Sequence, residues 1–205
     1  MTSTFTAPHN GSIEARLELT HGGTHVAVRA AEIDDLCRAE FNGVAPNAAA
    51  EAGRVTIAYP RFSVRELLRR QAHSAEIELT AALPWSIVFD GGLGDSSADL
   101  RGLDLRDFQI TGGAGGLRLV LPAPRGIVRV QIGGGASKVT VLHPEGTAVA
   151  LRIAGGSSKL RFDGQDFGSL GGETRLETPN AGSTADRYEL EILGGASELT
   201  VAESD

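Results

Sequence analysis

The sequence predicts an all-β protein: a single-stranded β-solenoid, β-helix-like, with coils of about 21 residues and Gly-Gly corners. Three observations predict it. One glycine-led phrase returns along the chain, as GGAGGLRL at 112–119, GGASKVTV at 134–141, GGSSKLRF at 155–162 and GGASELTV at 194–201. Gly134 and Gly155 stand 21 residues apart, and Gly155 and Gly194 stand 39 apart, close to two periods. Apolar residues alternate with polar or small ones at Val128, Val130 and Ile132, at Val139 and Val141, and at Val149, Leu151 and Ile153. That is the period of a strand with one buried face. Glycine supplies 27 of 205 residues and aromatics only 5%, so the core must be aliphatic and closely layered. An antiparallel meander or sandwich would also satisfy alternation and turns. It would not need the same residue at the same place in each unit, whereas stacked coils do.

Each unit holds two strands and two corners. Glycine reaches positive φ without steric penalty, so a glycine pair lets the chain corner sharply. At least one of Gly134 and Gly135, and one of Gly155 and Gly156, is expected at positive φ or pressed against a neighbouring coil. Gly156→Val is expected to cost about 2 kcal/mol or more, against a few tenths for Lys159→Ala. Val139, Leu160 and Leu199 are expected to stack inward. Lys138, Lys159 and Glu198 share one position of the phrase, which places that position outside the core, because unpaired burial of a charge is costly.

Taken in order, residues 1–10 read as a flexible tail and 11–205 as a single solenoid domain. Leu17 and Leu19, a corner at Gly22-Gly23, then Val26 and Val28 form the first unit. Residues 30–53 are irregular. AEIDDLCRAEF has Ile33, Leu36, Cys37 and Phe41 near the spacing of a short helix, but Leu36 to Phe41 is read in preference as a strand paired with Val55–Tyr59, and PNAAAEAG as a small-residue loop. Residues 60–74 carry four arginines and read as a solvated loop or single turn rather than a basic binding patch. The repeat resumes with Ile77, Leu79, Ile87 and Phe89, and Leu100, Leu103, Leu105, Phe108 and Ile110 are expected inward. After Phe162 the period slips through an irregular insertion near 163–186, with a degraded unit at 171–178. Tyr188–Leu193 and Leu199–Ala202 are the closing strands.

The phrase GG-[AS]-S-x-[LV]-x-[VF], preceded by an alternating strand, resembles a family of bacterial adhesin-like β-solenoid domains of unknown function. Related repeats occur in LiaF-like proteins of the cell-envelope stress response. The resemblance covers roughly residues 11–202, through the motifs at 112–119, 134–141, 155–162 and 194–201. It implies the fold and a protein partner, with a link to envelope stress or signalling, and it carries over no site residue.

The formal net charge of −7 argues against nucleic acid or an anionic membrane as partner. Cys37 is the only cysteine, so no intrachain disulfide is possible. The first ten residues show no basic or apolar leader, and no apolar run approaches the ~20 residues of a membrane span. A cytoplasmic protein without membrane insertion is expected.

Candidate chemistry is sparse. DGGLGDSSAD at 90–99 has a loose likeness to a calcium-binding glycine-aspartate repeat, but Asp95 follows Gly94 directly and no nine-residue period exists, so a surface turn is expected. Ser96 would need a base and oxyanion donors to act as a nucleophile, and His21, His25, His73 and His143 are scattered singly. The glycine runs precede strands rather than a helix N-terminus, which argues against a phosphate cradle. His21 and His25 lack a third ligand nearby, and Cys37 reads as a small core residue.

No catalytic, cofactor-binding or metal-binding residue is therefore assigned, and no cofactor is expected. The expected function is a non-catalytic interaction or scaffold module binding protein. The alternatives are a hydrolase or metal-binding protein using the 90–99 loop, and a self-assembling bactofilin-like scaffold. The acidic end of LTVAESD and the polar tail are expected to guard the terminal coils, giving a monomer or small homo-oligomer.

Overall fold

A computed structural model describes residues 2–59 and 74–204, so the arginine-rich segment singled out at 60–74 falls almost wholly outside the described residues. The described residues form strands and turns and no helix. The chain opens with β1 (Thr2–Ala7), β2 (Ala15–Thr20), the two-residue β3 (Gly23–Thr24) and β4 (Val26–Ala31). It continues with β5 (Cys37–Asn42), β6 (Asn47–Glu51), β7 (Arg54–Ala58), β8 (Ser74–Thr80) and β9 (Pro84–Asp90). The middle supplies β10 (Leu93–Asp99), β11 (Asp104–Ile110), β12 (Ala114–Val120), β13 (Ile127–Ile132) and β14 (Ala136–His143). Last come β15 (Ala148–Ile153), β16 (Ser157–Phe162), β17 (Gln165–Leu170), β18 (Thr174–Glu177), β19 (Arg187–Ile192) and β20 (Ala196–Glu203).

These strands make two mixed sheets that do not close into a barrel. One runs β1-β5-β8-β4-β10-β12-β14-β20-β16-β17, with β3 also paired to β10; the other runs β18-β15-β19-β13-β11-β9-β2-β7-β6. Each strand of the second sheet between β7 and β15 lies level with a strand of the first. We call such a pair a rung. Along the stack the rungs are β7/β8, β2/β4, β9/β10, β11/β12, β13/β14, β19/β20 and β15/β16. Neighbouring rungs pair in parallel and in register, as in Ala136↔Ala196 and Val139↔Leu199. Equivalent residues therefore lie on one another.

The rungs do not stack in chain order. The rung β2/β4 sits inside the later rung β7/β8, and the last rung, β19/β20, is inserted between β13/β14 and β15/β16. This corrects the expectation that LTVAESD ends the stack: β20 is an interior strand with a partner on each side. The ends are closed by antiparallel strands instead. β1, β5 and β6 lie at one end, and β17 and β18 at the other.

Those caps overturn several local expectations. Residues 2–7 are not a tail but β1, paired antiparallel to β5. The segment β5 does not pair with β7; it lies in the other sheet, against β8. The run PNAAAEAG holds β6, antiparallel to β7. The degraded unit at 171–178 holds β18, antiparallel to β15 rather than a further parallel rung. In each case long-range pairing along an edge supplied the hydrogen bonds that composition could not forecast.

Between the sheets the inward residues form one contiguous aliphatic core. Val139, Leu160 and Leu199 are buried within it, as are Leu100, Leu103, Leu105, Phe108 and Ile110. Fully buried Trp85 donates from Nε1 to the Thr80 carbonyl at 2.8 Å, and Tyr188 donates its hydroxyl to the Pro122 carbonyl at 2.8 Å. Both polar tips thus find partners, as buried tryptophan and tyrosine require.

The corner explains the glycines. Peptide units at this edge form a staircase of hydrogen bonds, Gly155 N to Gly194 O, Gly194 N to Gly134 O, Gly134 N to Gly112 O and Gly112 N to Gly91 O. Rungs are therefore held at strand spacing, about 4.8 Å, through the bend itself. A Cβ on Gly134 would lie 2.8 Å from the Gly113 nitrogen, and one on Gly155 would lie 2.9 Å from the Gly195 nitrogen. The pairs are pressed against neighbours, as expected, but not through positive φ.

Positive φ appears instead at the charged position of the phrase. His25, Asp95, Gly116, Lys138, Glu198 and Lys159 have φ of 57°, 43°, 67°, 53°, 56° and 51°, and they stack in that order along the rungs. Each is an extra residue passed over by the pairing, so Ala136 and Val139 both face inward with two residues between them. That is a bulge whose left-handed residue is best a glycine. Only one rung uses glycine there. Lys138→Gly removes a left-handed strain of roughly 1–2 kcal/mol and loosens the unfolded chain by about 0.4–1 kcal/mol. A net gain of about 0.5–1 kcal/mol is expected, read as a higher urea midpoint than wild type with an unchanged slope.

Candidate interaction surface

The two outer faces of the stack differ in what they leave available. On the β18-to-β6 sheet, in-register positions build a polar ladder. Gln109 Nε2 donates to Gln131 Oε1 at 3.1 Å, and Gln131 Nε2 donates to Glu191 Oε2 at 2.9 Å. Arg152 then bridges Glu191 and Glu173, and Arg175 donates to Glu173 at 2.7 Å. Hydrogen bonding from Gln131, and then Arg152, holds the Glu191 carboxyl below its ordinary range. Arg175, and then Arg152, do the same for Glu173. A ladder so fully satisfied internally stiffens the sheet but keeps few groups for a partner.

The other face carries an apolar row. Val120, Leu142 and Ala202 are cross-strand neighbours on β12, β14 and β20. They arise because β12 and β14 each carry two successive apolar residues near the C-terminal end, Leu119-Val120 and Val141-Leu142, of which the first faces the core. A groove of about 640 Å³ lies over Val120 and Leu142 of this row, with Asp99, Arg101 and Arg118 on one side and Glu203 on the other. Arg101 grips Asp99 through two contacts, 2.9 and 2.6 Å, and this, more than Arg118, holds the Asp99 carboxyl below its usual range. Apolar floor, charged rim and arginine are the makings of a protein interface.

The residues weighed for chemistry are placed otherwise. Segment 90–99 is a rung corner followed by β10. Ser96 is buried; its hydroxyl accepts from the Val26 amide at 3.0 Å and donates to the Gly94 carbonyl at 2.7 Å. Asp95 is exposed at the left-handed bulge. His21 lies at its rung corner with Nδ1 3.0 Å from the Tyr59 carbonyl. Cys37 is buried, and burial pushes its thiol up to about 12, which leaves it a poor nucleophile. Among the described residues no group of three or more His, Cys, Asp or Glu is placed to hold a metal ion.

One pairing had no sequence signal. Fully buried His143 at the end of β14 meets the Asp163 carboxylate at 3.0 Å through Nε2 and the Pro144 carbonyl at 3.1 Å through Nδ1. It thereby ties β14 to the turn after β16, two strands away, beside the end of the inserted β20. Only the rung order brings residues 143 and 163 together.

A stack of parallel rungs with antiparallel caps defines an all-β domain of two mixed sheets. The chain belongs to the family described as the N-terminal domain of toast_rack, DUF2154, whose profile matches residues 1–142. The match ends within β14, yet the strands beyond it complete the same two sheets. The fold is similar to the crystal structure of a "putative cell adhesion protein" from Clostridium sporogenes ATCC 15579. That comparison has a TM-score of 0.75 and 18% identity, over 100% of this chain and 99% of that one. A "putative adhesin" from Bacteroides fragilis NCTC 9343 also matches, at a TM-score of 0.39 and 9% identity, over 100% of this chain and 96% of that one. No curated protein matches. No helix among the described residues is long and apolar enough to cross a membrane.

Proposed function

We propose that the chain is a non-catalytic, β-solenoid-like module that binds a protein through the groove over Val120 and Leu142. The row itself carries the reading: it is an apolar strip on the outer face of a sheet whose inner face already holds the core. The occupant is a protein segment that seats apolar side chains on the row and meets the charges of Arg118 and Glu203 at its sides. A contact in bacterial envelope-stress signalling, implied by the repeat's resemblance, belongs to the same proposal. So does cytoplasmic residence, for which fractionation of expressing cells should return the chain in the soluble fraction.

The test compares what wild type, Leu142→Asp and Gln131→Lys retain from native cells. Leu142→Asp places a charge on the row, whereas Gln131→Lys alters the opposite face. A partner held by wild type and Gln131→Lys but lost by Leu142→Asp supports the groove. Equal retention by all three would contradict it. Ser96→Ala should leave binding intact, since its hydroxyl serves only the link between β4 and β10.

A further inference from the structure

The polar ladder that satisfies itself over β11 to β18 fails at the other end of the same sheet. Where Arg152 of β15 and Arg175 of β18 stand side by side, Glu173 bonds both, at 3.2 and 2.7 Å. Arg16 of β2 and Arg54 of β7 are also cross-strand neighbours. Adjacent like charges repel unless a counter-charge joins them. The carboxylate these two share, Glu18, lies 4.0 Å from Arg16 and 3.5 Å from Arg54, and it hydrogen-bonds neither. The Arg16 Nε is buried without a hydrogen-bond partner among the described residues, so nothing within the protein anchors this guanidinium. A buried donor left unpaired is costly, and more so on a charged group. The two side chains are 41% and 62% exposed, and both remain reachable from solvent.

Both arginines border a cleft of about 250 Å³, which Arg106, Ser86, Pro84 and Glu14 also line. Ser86 opens it. In the in-register row Arg54, Arg16, Ser86, Asp107, Arg129, serine is the one short side chain. The wall beside it is fixed by backbone. Arg16 N donates to the Gly53 carbonyl at 3.0 Å, and a Cβ on Gly53 would lie 2.6 Å from the Glu14 carbonyl oxygen. The turn between β6 and β7 is therefore pressed onto the start of β2. Arg106 is held to Asp104 at 3.0 Å, whereas Glu14 makes no ion pair among the described residues. We infer that this cleft is an oxyanion site, which takes the phosphate or carboxylate head of a ligand between Arg16, Arg54 and Arg106. Guanidinium groups present planar forks of N–H donors that match either anion two bonds at a time. An anion seated there supplies the counter-charge that Glu18 leaves wanting. The cleft is smaller than the roughly 300–1,000 Å³ of a drug-sized ligand's pocket, so it holds a charged head and not a whole molecule.

This site lies on the sheet opposite the groove over Leu142 and does not depend on that reading. An NMR titration of the full chain with inorganic phosphate and, separately, with citrate tests it at constant ionic strength. The expected result is saturable shifts of the Ser86 amide and the Arg16 Nε–H, with a dissociation constant at or below about 1 mM for at least one anion. Tighter phosphate assigns a phosphate-bearing ligand, and tighter citrate a carboxylate-bearing one. Arg16→Gln and Arg54→Gln should each weaken binding at least tenfold. Glu14→Gln, which removes the carboxylate lining the cleft, should tighten it. Arg29→Gln makes the same charge change on the other sheet and should leave it unchanged. The amide spectrum reports whether each variant is folded, and either cleft arginine suffices if the other variant is not. No saturation by either anion, an affinity indifferent to both cleft arginines, or an equal loss in Arg29→Gln would overturn the site.

Discussion

Gly194→Ala is expected to destabilise the protein by about 3 kcal/mol or more, a larger loss than any single charged side chain should give. A Cβ there would lie 2.8 Å from the backbone C and O of Gly134 and from the nitrogen of Gly135. None of those atoms can rotate away. They belong to the peptide staircase in which Gly194 N donates to Gly134 O at 3.0 Å, so the rungs must separate. Interiors packed to crystal density transmit such a displacement rather than absorb it. The second glycine of each pair is more forgiving: a Cβ on Gly195 meets the Gly156 oxygen at 3.0 Å, and one on Gly156 meets the Leu170 oxygen at 3.3 Å. The ranking first drawn from the phrase alone, with Gly156→Val as the severe change, therefore moves to the first glycine. Urea melts should order the losses Gly194→Ala, then Gly195→Ala, then Lys159→Ala. Equal midpoints for the first and last would refute the corner account.

Removing residues 187–205 is expected to abolish the order of everything after β14, not merely to shorten the stack. The strands lost, β19 and β20, contribute Tyr188, Leu190, Ile192, Leu199 and Val201 to the core. At roughly 1.5–3 kcal/mol for each large apolar side chain, that burial is comparable with the 5–15 kcal/mol of a whole domain. Parallel pairing of β15 and β16 to the rest of the stack also runs through these two strands. Hydrogen exchange should show residues 148–177 unprotected in the truncated chain. Were the last rung truly terminal, truncation would leave β15 and β16 protected, because repeat units depend only on their neighbours.

The sequence made the rung legible and the stack illegible, for one physical reason. Val139, Leu160 and Leu199 read inward because period-2 alternation is local. Which rung lies on which is a matter of register between strands that all carry the same phrase, so GGASELTV fits against GGASKVTV and GGSSKLRF equally well. Lys138 and Lys159 concealed the left-handed bulge because a lysine there looks like any exposed residue, and only Gly116 hinted at it. β6 looked like a loop since alanine has little strand preference. The candidate groove was hidden within Val141-Leu142, where two consecutive apolar residues leave the outward one indistinguishable from core by pattern. The caps, β1 and β17 among them, carry no repeat and owe their form to the edges they cover.

The inserted last rung is tested most directly by disulfide trapping between equivalent serines. Ser197 pairs with Ser137 on one side and Ser158 on the other, its hydroxyl 3.2 Å from that of Ser158. Adjacent strands put Cα atoms about 4.8 Å apart, within disulfide reach, and alternate strands about 9.6 Å apart, beyond the ~7 Å limit. The only native cysteine, Cys37, is buried and does not compete. The Ser137→Cys/Ser197→Cys and Ser158→Cys/Ser197→Cys chains should close a disulfide under mild oxidation, and Ser137→Cys/Ser158→Cys should remain reduced. Ready closure of the 137–158 pair, with the 137–197 pair left open, would mean that the rungs follow chain order and would contradict the stack described above.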